Sequence, residues 1–452
     1  MHVTKMKGTL DFFDDSALKY QFLEDKANMV CHRFGFNKMI TPIFEATELF
    51  TRGVGEGSDI VNKEMYTFLD KGERSITLRP EGTAGIVRSF IENKLYANDR
   101  VPKKLWYLEN MFRYERPQSG RYREFLQFGC EAFGSDDPML DAELISIPVL
   151  LFEMLGLKKV KVRINSLGDV DTRENYKKAL MEYFAPHIKD LCEDCQARFS
   201  KNPLRILDCK VDKDNPILKN APKILDYLNT ESQAHFDAVL KYLEALDIDY
   251  EVDSRVIRGL DYYTHAVFEI EAEIEGFGSQ NVICAGGRYD NLVGDLEGPD
   301  TKAVGFAIGL ERLMLALEKE NIAIPDNNYL DVYLIYLGEE AKEKAFAINH
   351  MLRIMGFKSD IDYNNRTIKA NFKQAERLNA SFAIIIGEDE LKNNYLTVRN
   401  MQTKEEEQVK NKDLTSYLDA KLSQEEDSCS CDDCNHDEEH CKHDECHCNK
   451  CE

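Results

Sequence analysis

Arg113, Arg116, Arg121 and Arg123 crowd one short stretch that also carries Pro117 and Gly120. Forked guanidiniums gathered at a turn suit a polyphosphate, which each can grip with two parallel hydrogen bonds. A solvated, charged hairpin tip reads the same way. Just beyond, Leu126, Phe128, Cys130 and Ala132 alternate with Gln127, Gly129 and Glu131. That period of two gives a strand one packing face and one face free to meet a ligand, so Gln127 and Glu131 share the second. Upstream, Leu78-Arg79-Pro80-Glu81-Gly82-Thr83 delivers a carboxylate just before a helix, where it can hold the ammonium of an amino acid. Downstream, Arg258-Gly259-Leu260-Asp261-Tyr262-Tyr263 joins charge to two aromatic hydroxyls, with Tyr289 further on. Gly305 and Gly309 would let a flat ligand approach the backbone, with Arg312 at the following helix start to meet it.

The elements that must position these residues follow from periodicity and punctuation. Aromatic-rich runs at 105–114 and 125–133 flank the arginine turn, the pattern of a long antiparallel hairpin. A helix is expected over 16–34, closed by Gly35, and a strand over 37–44 in which Pro42 marks an edge or an interrupted pairing. Further expectations are a strand at 76–78, helices at 84–94 and 141–155, strands at 160–164, 255–274, 280–284 and 303–310, and a helix from Leu310. Residues 169–249 read as a mostly helical insertion without a catalytic motif. After a linker at 322–328, strand and helix patterns alternate over 332–398, the signature of a small α/β domain with a mostly parallel or mixed sheet. Residues 52–58 are glycine-rich but lack a Walker lysine, so they suit a mobile loop better than a phosphate cradle.

A chain of 452 residues is too long for one ordinary core and implies two to four domains. Hydrophobic content of 43% with 31% charged residues describes a soluble globular protein. No run of 18 apolar residues is present and the first residues lack the apolar stretch of a signal peptide, so the expected location is cytoplasmic, without membrane contact. The net charge of −23 argues against a generally basic nucleic-acid binder. Its spread is uneven. Residues 425–452 hold eleven Asp or Glu against two Lys, a net of −9, whereas 329–423 hold fourteen Lys or Arg against fifteen Asp or Glu and can present a basic face.

The cysteines fall in two groups. Cys192, Cys195 and Cys209 supply three of the four ligands of a structural zinc site, and with no fourth in view the favoured reading is reduced structural thiols. The tail carries Cys429, Cys431, Cys434, His436, His440, Cys441, His443, Cys446, His447, Cys448 and Cys451 among acids with almost no apolar residue. Such a segment cannot build a core and is expected to be disordered without a ligand. Its thiolates and imidazoles favour Zn²⁺ or Cu⁺.

The hairpin resembles motif 2 of the class II aminoacyl-tRNA synthetases, and Phe112-Arg113-Tyr114-Glu115 with 127–131 most resembles the histidyl-tRNA synthetase family. The 78–83 and 258–263 stretches, Gly286-Gly287-Arg288-Tyr289-Asp290 and the motif 3 segment 305–312 resemble the same family. The resemblance runs from about Lys7 to about Leu422. It implies an α+β catalytic domain at 1–322, an antiparallel sheet flanked by helices with the insertion at 169–249, then an α/β anticodon-binding domain at 329–423, leaving 425–452 as an unusual tail. It further implies histidine and Mg²⁺-ATP as substrates, tRNA(His) as partner and acceptor, and a homodimer built on 16–44. Carried to matching positions, Arg113 would hold the α-phosphate, Arg121 and Arg312 the outer phosphates, and Glu115 and Tyr122 would seat the nucleotide. Arg258 would stabilise the attacked phosphate. Glu81, Thr83 and Gln127 would hold the α-amino group, Glu131 and Tyr263 the imidazole nitrogens, with Tyr262 and Tyr289 lining the pocket. Arg366, Lys369 and Lys373 would be candidate RNA contacts. The rival is the synthetase-like regulatory subunit of ATP phosphoribosyltransferase, which is expected to lack the C-terminal domain and the ATP-site arginines.

Overall fold

The computed structural model describes residues 3–55, 58, 60–97, 102–207, 209, 211, 212, 214–274, 281–324 and 329–427. It divides into two compact units, Met1–Ile324 and Pro325–Glu452.

The first unit opens with α1 (Asp15–Arg33), which buries Leu23, Ala27, Val30 and Cys31 at helical spacing. The strand expected over 37–44 is interrupted. Only β1 (Asn37–Lys38) and β2 (Phe44–Ala46) form, because Pro42 has no amide to donate to a ladder. Then come α2 (Thr47–Val54), β3 (Tyr66–Leu69), β4 (Ser75–Leu78), α3 (Thr83–Glu92), β5 (Lys103–Phe112), β6 (Glu124–Phe133) and α4 (Pro138–Met154). The start of α4 is set by Pro138 at its first turn and by Asp137, whose side chain accepts from the Met139 amide at 2.9 Å. After β7 (Val160–Ser166), the insertion supplies α5 (Val170–Phe184), α6 (Glu193–Lys201), α7 (Pro216–Lys219) and α8 (Thr230–Ala245). The unit closes with β8 (Tyr250–Val252), β9 (Thr264–Ala272), β10 (Val282–Arg288), α9 (Leu292–Asp295), β11 (Ala303–Gly309) and α10 (Leu310–Lys319).

Eight strands form the main sheet in the order β1-β5-β6-β11-β10-β9-β7-β8, and β2-β4-β3 form a small second one. The main sheet is antiparallel through its centre and mixed overall, since β1 lies parallel to β5 and β8 parallel to β7. Both parallel pairs are joined by long connections, the second of them the helical insertion, and a parallel neighbour requires such a crossover. One sheet face carries Trp106, Phe128, Cys130, Phe306 and Ile308 and packs on α1, α4, α8 and α10. The other carries Tyr107, Phe133, Val267 and Tyr289 and faces α3 and the insertion. The site lies on this second face.

The strand expected over 255–274 begins only at Thr264. Arg258 has φ 69°, a left-handed backbone that turns the chain out of the extended run, and the 253–263 segment is built of turns and bends instead.

The second unit runs β12 (Leu330–Tyr336), α11 (Glu339–Ile354), β13 (Ser359–Ile361), α12 (Ile368–Arg377), β14 (Ala380–Ile386), α13 (Glu388–Asn393), β15 (Tyr395–Asn400), β16 (Glu406–Lys410) and α14 (Leu414–Asp427). Its sheet, β13-β12-β14-β15-β16, is parallel across the first three strands and antiparallel across the last. The last helix, α14, continues to Asp427, and Leu414 and Leu418, four residues apart, bury its inner face. The eleven tail ligands from Cys429 to Cys451 lie outside the described residues.

Candidate active site

Tyr107 and Gly129 face each other across the β5-β6 hairpin. A Cβ on Gly129 would fall 2.4 Å from the Tyr107 ring, so only glycine lets the ring lie across the strand. From there the Tyr107 hydroxyl donates to Gln127 Oε1 at 3.3 Å. The same oxygen accepts from the Gly82 amide at 3.2 Å, which ties the 79–83 loop to β6. Arg79 anchors that loop from behind, paired with buried Glu109 at 2.7 Å and donating to Asn110 O at 2.7 Å. Neither Tyr107 nor the Arg79–Glu109 pair was singled out in the sequence, although the facing of a tyrosine and a glycine across an expected hairpin was available as a signal.

The 79–83 loop places Glu81 at the start of α3, where its carboxylate accepts from the Ala84 amide at 2.7 Å and the Thr83 amide at 3.0 Å. That is a helix-capping role. Glu81 nevertheless borders the cleft, and Tyr262 donates to it at 3.4 Å. Burial pushes its carboxyl above the usual range.

Glu131 lies deeper. Its side chain crosses Gly305 on β11, where a Cβ would sit 1.7 Å from Oε2. One oxygen accepts from Thr83 Oγ1 at 2.7 Å and the other from the Tyr289 hydroxyl. It is 1% exposed and forms the wall behind Thr83 and Tyr289 rather than the cleft surface. Burial raises its pKa to about 8. The Tyr262 ring stands 4.8 Å from Tyr263 and 5.6 Å from Tyr289, completing a floor of three phenols around two buried acids.

The other end of the cleft is cationic. Arg113, Glu115, Arg121, Tyr122, Arg258 and Arg312 all line it. Arg113 Nε donates to Pro80 O at 2.8 Å, and its guanidinium lies 5.3 Å over the Phe125 ring. Glu115 sits 3.4 Å from Arg121 and 4.0 Å from Arg113, holding the two arginines in place. Arg312 enters from α10, donates to Val282 O at 2.7 Å, and is pushed down to about 10 by burial and by Arg121. Arg258 pairs with Glu269 on β9 and lies 5.6 Å from the Tyr263 ring. The Nε atoms of Arg121 and Arg258 are buried without a hydrogen-bond partner among the described residues. Crowded cations with unspent donors make a cradle for a polyanion.

Of the four turn arginines, the cleft therefore receives Arg113 and Arg121. Arg123 stacks 4.0 Å over Tyr114 and donates to Glu115 O, and Arg116 is exposed. Phe125, Glu269 and Glu311 complete the site without having been expected in it. Glu311 accepts from the Leu126 amide at 2.9 Å and is raised by burial to about 7. In the second unit Arg366 pairs with Asp362 at 2.9 Å, while Lys369 and Lys373 are exposed on α12.

Residues 8–313 match the family model described as Histidyl-tRNA synthetase, and 331–421 match the one described as Anticodon binding domain. The chain is 51% identical over 412 residues to the histidine–tRNA ligase of Anoxybacillus flavithermus, covering 91% of this chain and 97% of that one. It is 51% identical over 403 residues to that of Listeria innocua, covering 89% and 95%. A crystal structure of apo S. aureus histidyl-tRNA synthetase is similar with a TM-score of 0.80 at 40% identity, covering 92% of this chain and all of that one.

Proposed function

The chain belongs to the histidyl-tRNA synthetase family and is an aminoacyl-tRNA synthetase that joins histidine to tRNA, and from that premise we propose the residues that do the work. The observation that carries the assignment is the polarity of one cleft: two buried acids and three phenols at one end, four arginines at the other.

Histidine brings an ammonium and an imidazole, both suited to the acidic end. Glu81, Thr83 and Gln127 receive the α-amino group, and Tyr263 with Glu131 reads the ring nitrogens, Glu131 exchanging its bond from Thr83 or Tyr289 for one from the ring, which Tyr262 and Tyr289 frame. Unmet hydrogen-bond partners penalise a ring of the same size without nitrogens, and such matching discriminates by about 10⁴ to 10⁵. ATP enters as its Mg²⁺ complex, its phosphates on Arg113, Arg121 and Arg312, with Glu115 and Tyr122 seating the nucleotide. The histidine carboxylate oxygen attacks the α-phosphorus, the bond to the bridging oxygen breaks, and pyrophosphate leaves. Arg258 meets the charge that develops on the α-phosphate. A terminal ribose hydroxyl of the tRNA then attacks the acyl carbon and AMP departs with its oxygen. No covalent enzyme intermediate is needed, so positioning and charge stabilisation carry the catalysis.

The reading as a regulatory subunit of ATP phosphoribosyltransferase is disfavoured, because the arginines of the nucleotide end and the anticodon-binding domain are both present. A homodimer through α1 and its following strand, and a cytoplasmic location, belong to the same proposal. In support of the latter, no helix among the described residues is long and apolar enough to cross a membrane. The tail holds zinc or copper(I) through its cysteines and histidines. Histidine-dependent ATP/pyrophosphate exchange by the purified chain tests the assignment, and absence of exchange overturns it.

A further inference from the structure

Cys192, Cys195 and Cys209 meet a fourth group that their sequence spacing concealed. Asp212 brings a carboxylate oxygen to the three sulfurs, and the four ligand atoms all lie within 4.8 Å of one another. Cys192 Sγ and Cys209 Sγ are 3.5 Å apart, and Cys209 Sγ is 3.6 Å from Asp212 Oδ2. The thiols are free, and that separation is far beyond a disulfide bond of about 2.05 Å. It is close to what a tetrahedral zinc imposes. Bonds of about 2.3 Å to sulfur and 2.0 Å to oxygen set sulfurs about 3.8 Å apart, and sulfur and oxygen about 3.5 Å apart.

The backbone supports this arrangement. Asp212 Oδ2 accepts from the Cys192 amide at 3.0 Å, and the Asp212 amide points at Cys209 Sγ at 3.4 Å. Cys192 caps α6, and Cys195 lies one turn inside it and is fully buried. Cys209 and Asp212 follow the 3-10 turn Pro203–Ile206. Thiols turned together and joined by a carboxylate have the ligand count and charge of a closed structural site.

We propose that Cys192, Cys195, Cys209 and Asp212 bind one zinc ion, which closes the 192–212 segment into a rigid knuckle within the insertion. The knuckle is aimed at the active site. Between its two ligand pairs it presents Asn202, which donates to Asp261 Oδ1 at 3.1 Å, and Arg205, which is near enough to Asp261 to act on its carboxyl and whose guanidinium lies 3.8 Å from where a Cβ on Gly259 would sit. Both contacts fall on the 258–263 loop that carries Arg258 and Tyr263. The zinc therefore acts as a positioning element for the loop that holds histidine and the α-phosphate, and it touches neither.

The test must exclude the tail, so it uses the full chain with the seven tail cysteines replaced by serine. After purification with zinc and dialysis against EDTA, elemental analysis is expected to find about one zinc per chain. Adding Cys195→Ser should reduce this at least tenfold, and Asp212→Cys should retain it. Loaded with cobalt(II) alone, the parent is expected to show thiolate-to-cobalt charge-transfer absorption that strengthens in Asp212→Cys, which gains a thiolate. Zinc content below 0.1 per chain in both the parent and Asp212→Cys, or content unchanged by Cys195→Ser, overturns the proposal. So does cobalt absorption that fails to strengthen in Asp212→Cys.

Discussion

Replacing Glu131 by glutamine separates the electrostatic demand of the histidine pocket from its shape. The carboxyl lies among hydroxyls and other acids, and burial lifts it from about 4.5 to about 8. That gap corresponds to about 5 kcal/mol against the ionised form. The sign follows from proton counting. Between these values the folded chain holds a proton that the unfolded chain has released, so the stability contributed by Glu131 is fully present below 4.5 and lost as pH rises through 8. Glu131→Gln does not titrate. The stability of the variant relative to the parent should therefore grow by about 2–3 kcal/mol between pH 6 and pH 9, seen as a widening gap in thermal midpoint without ligand. With histidine the order reverses. The amide carries no charge to balance a positive ring, and losing one charge from a buried pair costs at least about 2 kcal/mol, so the KM for histidine in ATP/pyrophosphate exchange should rise by about 30-fold or more. A midpoint gap constant across pH, or an unchanged KM, would refute the assignment of Glu131 as the buried acid that reads the ring.

Three further predictions follow from the same geometry. Arg258→His should lower the adenylation rate by at least about 10²-fold while changing histidine and ATP binding little, because its interaction belongs to the transition state; single-turnover kinetics separate the two. Gly305→Ala places a Cβ on the Glu131 carboxylate, so it should raise the histidine KM at least about tenfold in exchange assays, and parent-like kinetics would show that the carboxylate does not rest there. Truncation after Asp427 should leave histidylation within about twofold, since the synthetase motifs end before it, and lower the metal content read by elemental analysis to the single zinc of the insertion; lost activity, or a metal content equal to that of the full chain, would contradict the reading of that segment.

The fold was legible where periodicity was strong. The β5-β6 hairpin, α1, α4 and the alternating elements of the second unit lie within a few residues of their expected limits. Three features were hidden for identifiable reasons. Arg258 bends a segment whose apolar and aromatic residues read as strand, because its ion pair with Glu269 and its left-handed backbone outweigh propensity. The β16 strand is Glu-Glu-Gln-Val-Lys with only Val409 buried, an edge strand that shows no alternation. The parallel edges of the main sheet depend on crossovers that composition does not reveal. Within the site, residues with opposed charge or a shared strand face could be named. Those that act by support could not: Tyr107 and Glu269 carry no motif, and Asp212 looks like any surface acid until Cys192 and Cys209 are brought beside it.

On the proposed assignment, the cleft orients its substrates before any reaction begins. At one end Glu131 is held by hydroxyls alone, and Glu81 caps a helix while burial raises both acids, so an incoming cation relieves what the fold imposes. At the other, Arg312 is depressed by its own burial and by Arg121, so an incoming polyanion relieves the opposite strain. Histidine carries cationic or donating groups at both its ring and its α-nitrogen, and on the proposed assignment satisfying both at the acidic end points its carboxylate toward the arginines. ATP, drawn to those arginines by its phosphates, meets it from the other side. Arg113 stands where the two fields join, since it lies near enough to Glu81 to act on that carboxyl and lines the cationic end as well. On that assignment the attacking oxygen and the α-phosphorus are brought together by the same charge separation that binds the two substrates, and binding energy is converted into alignment without a separate catalytic base.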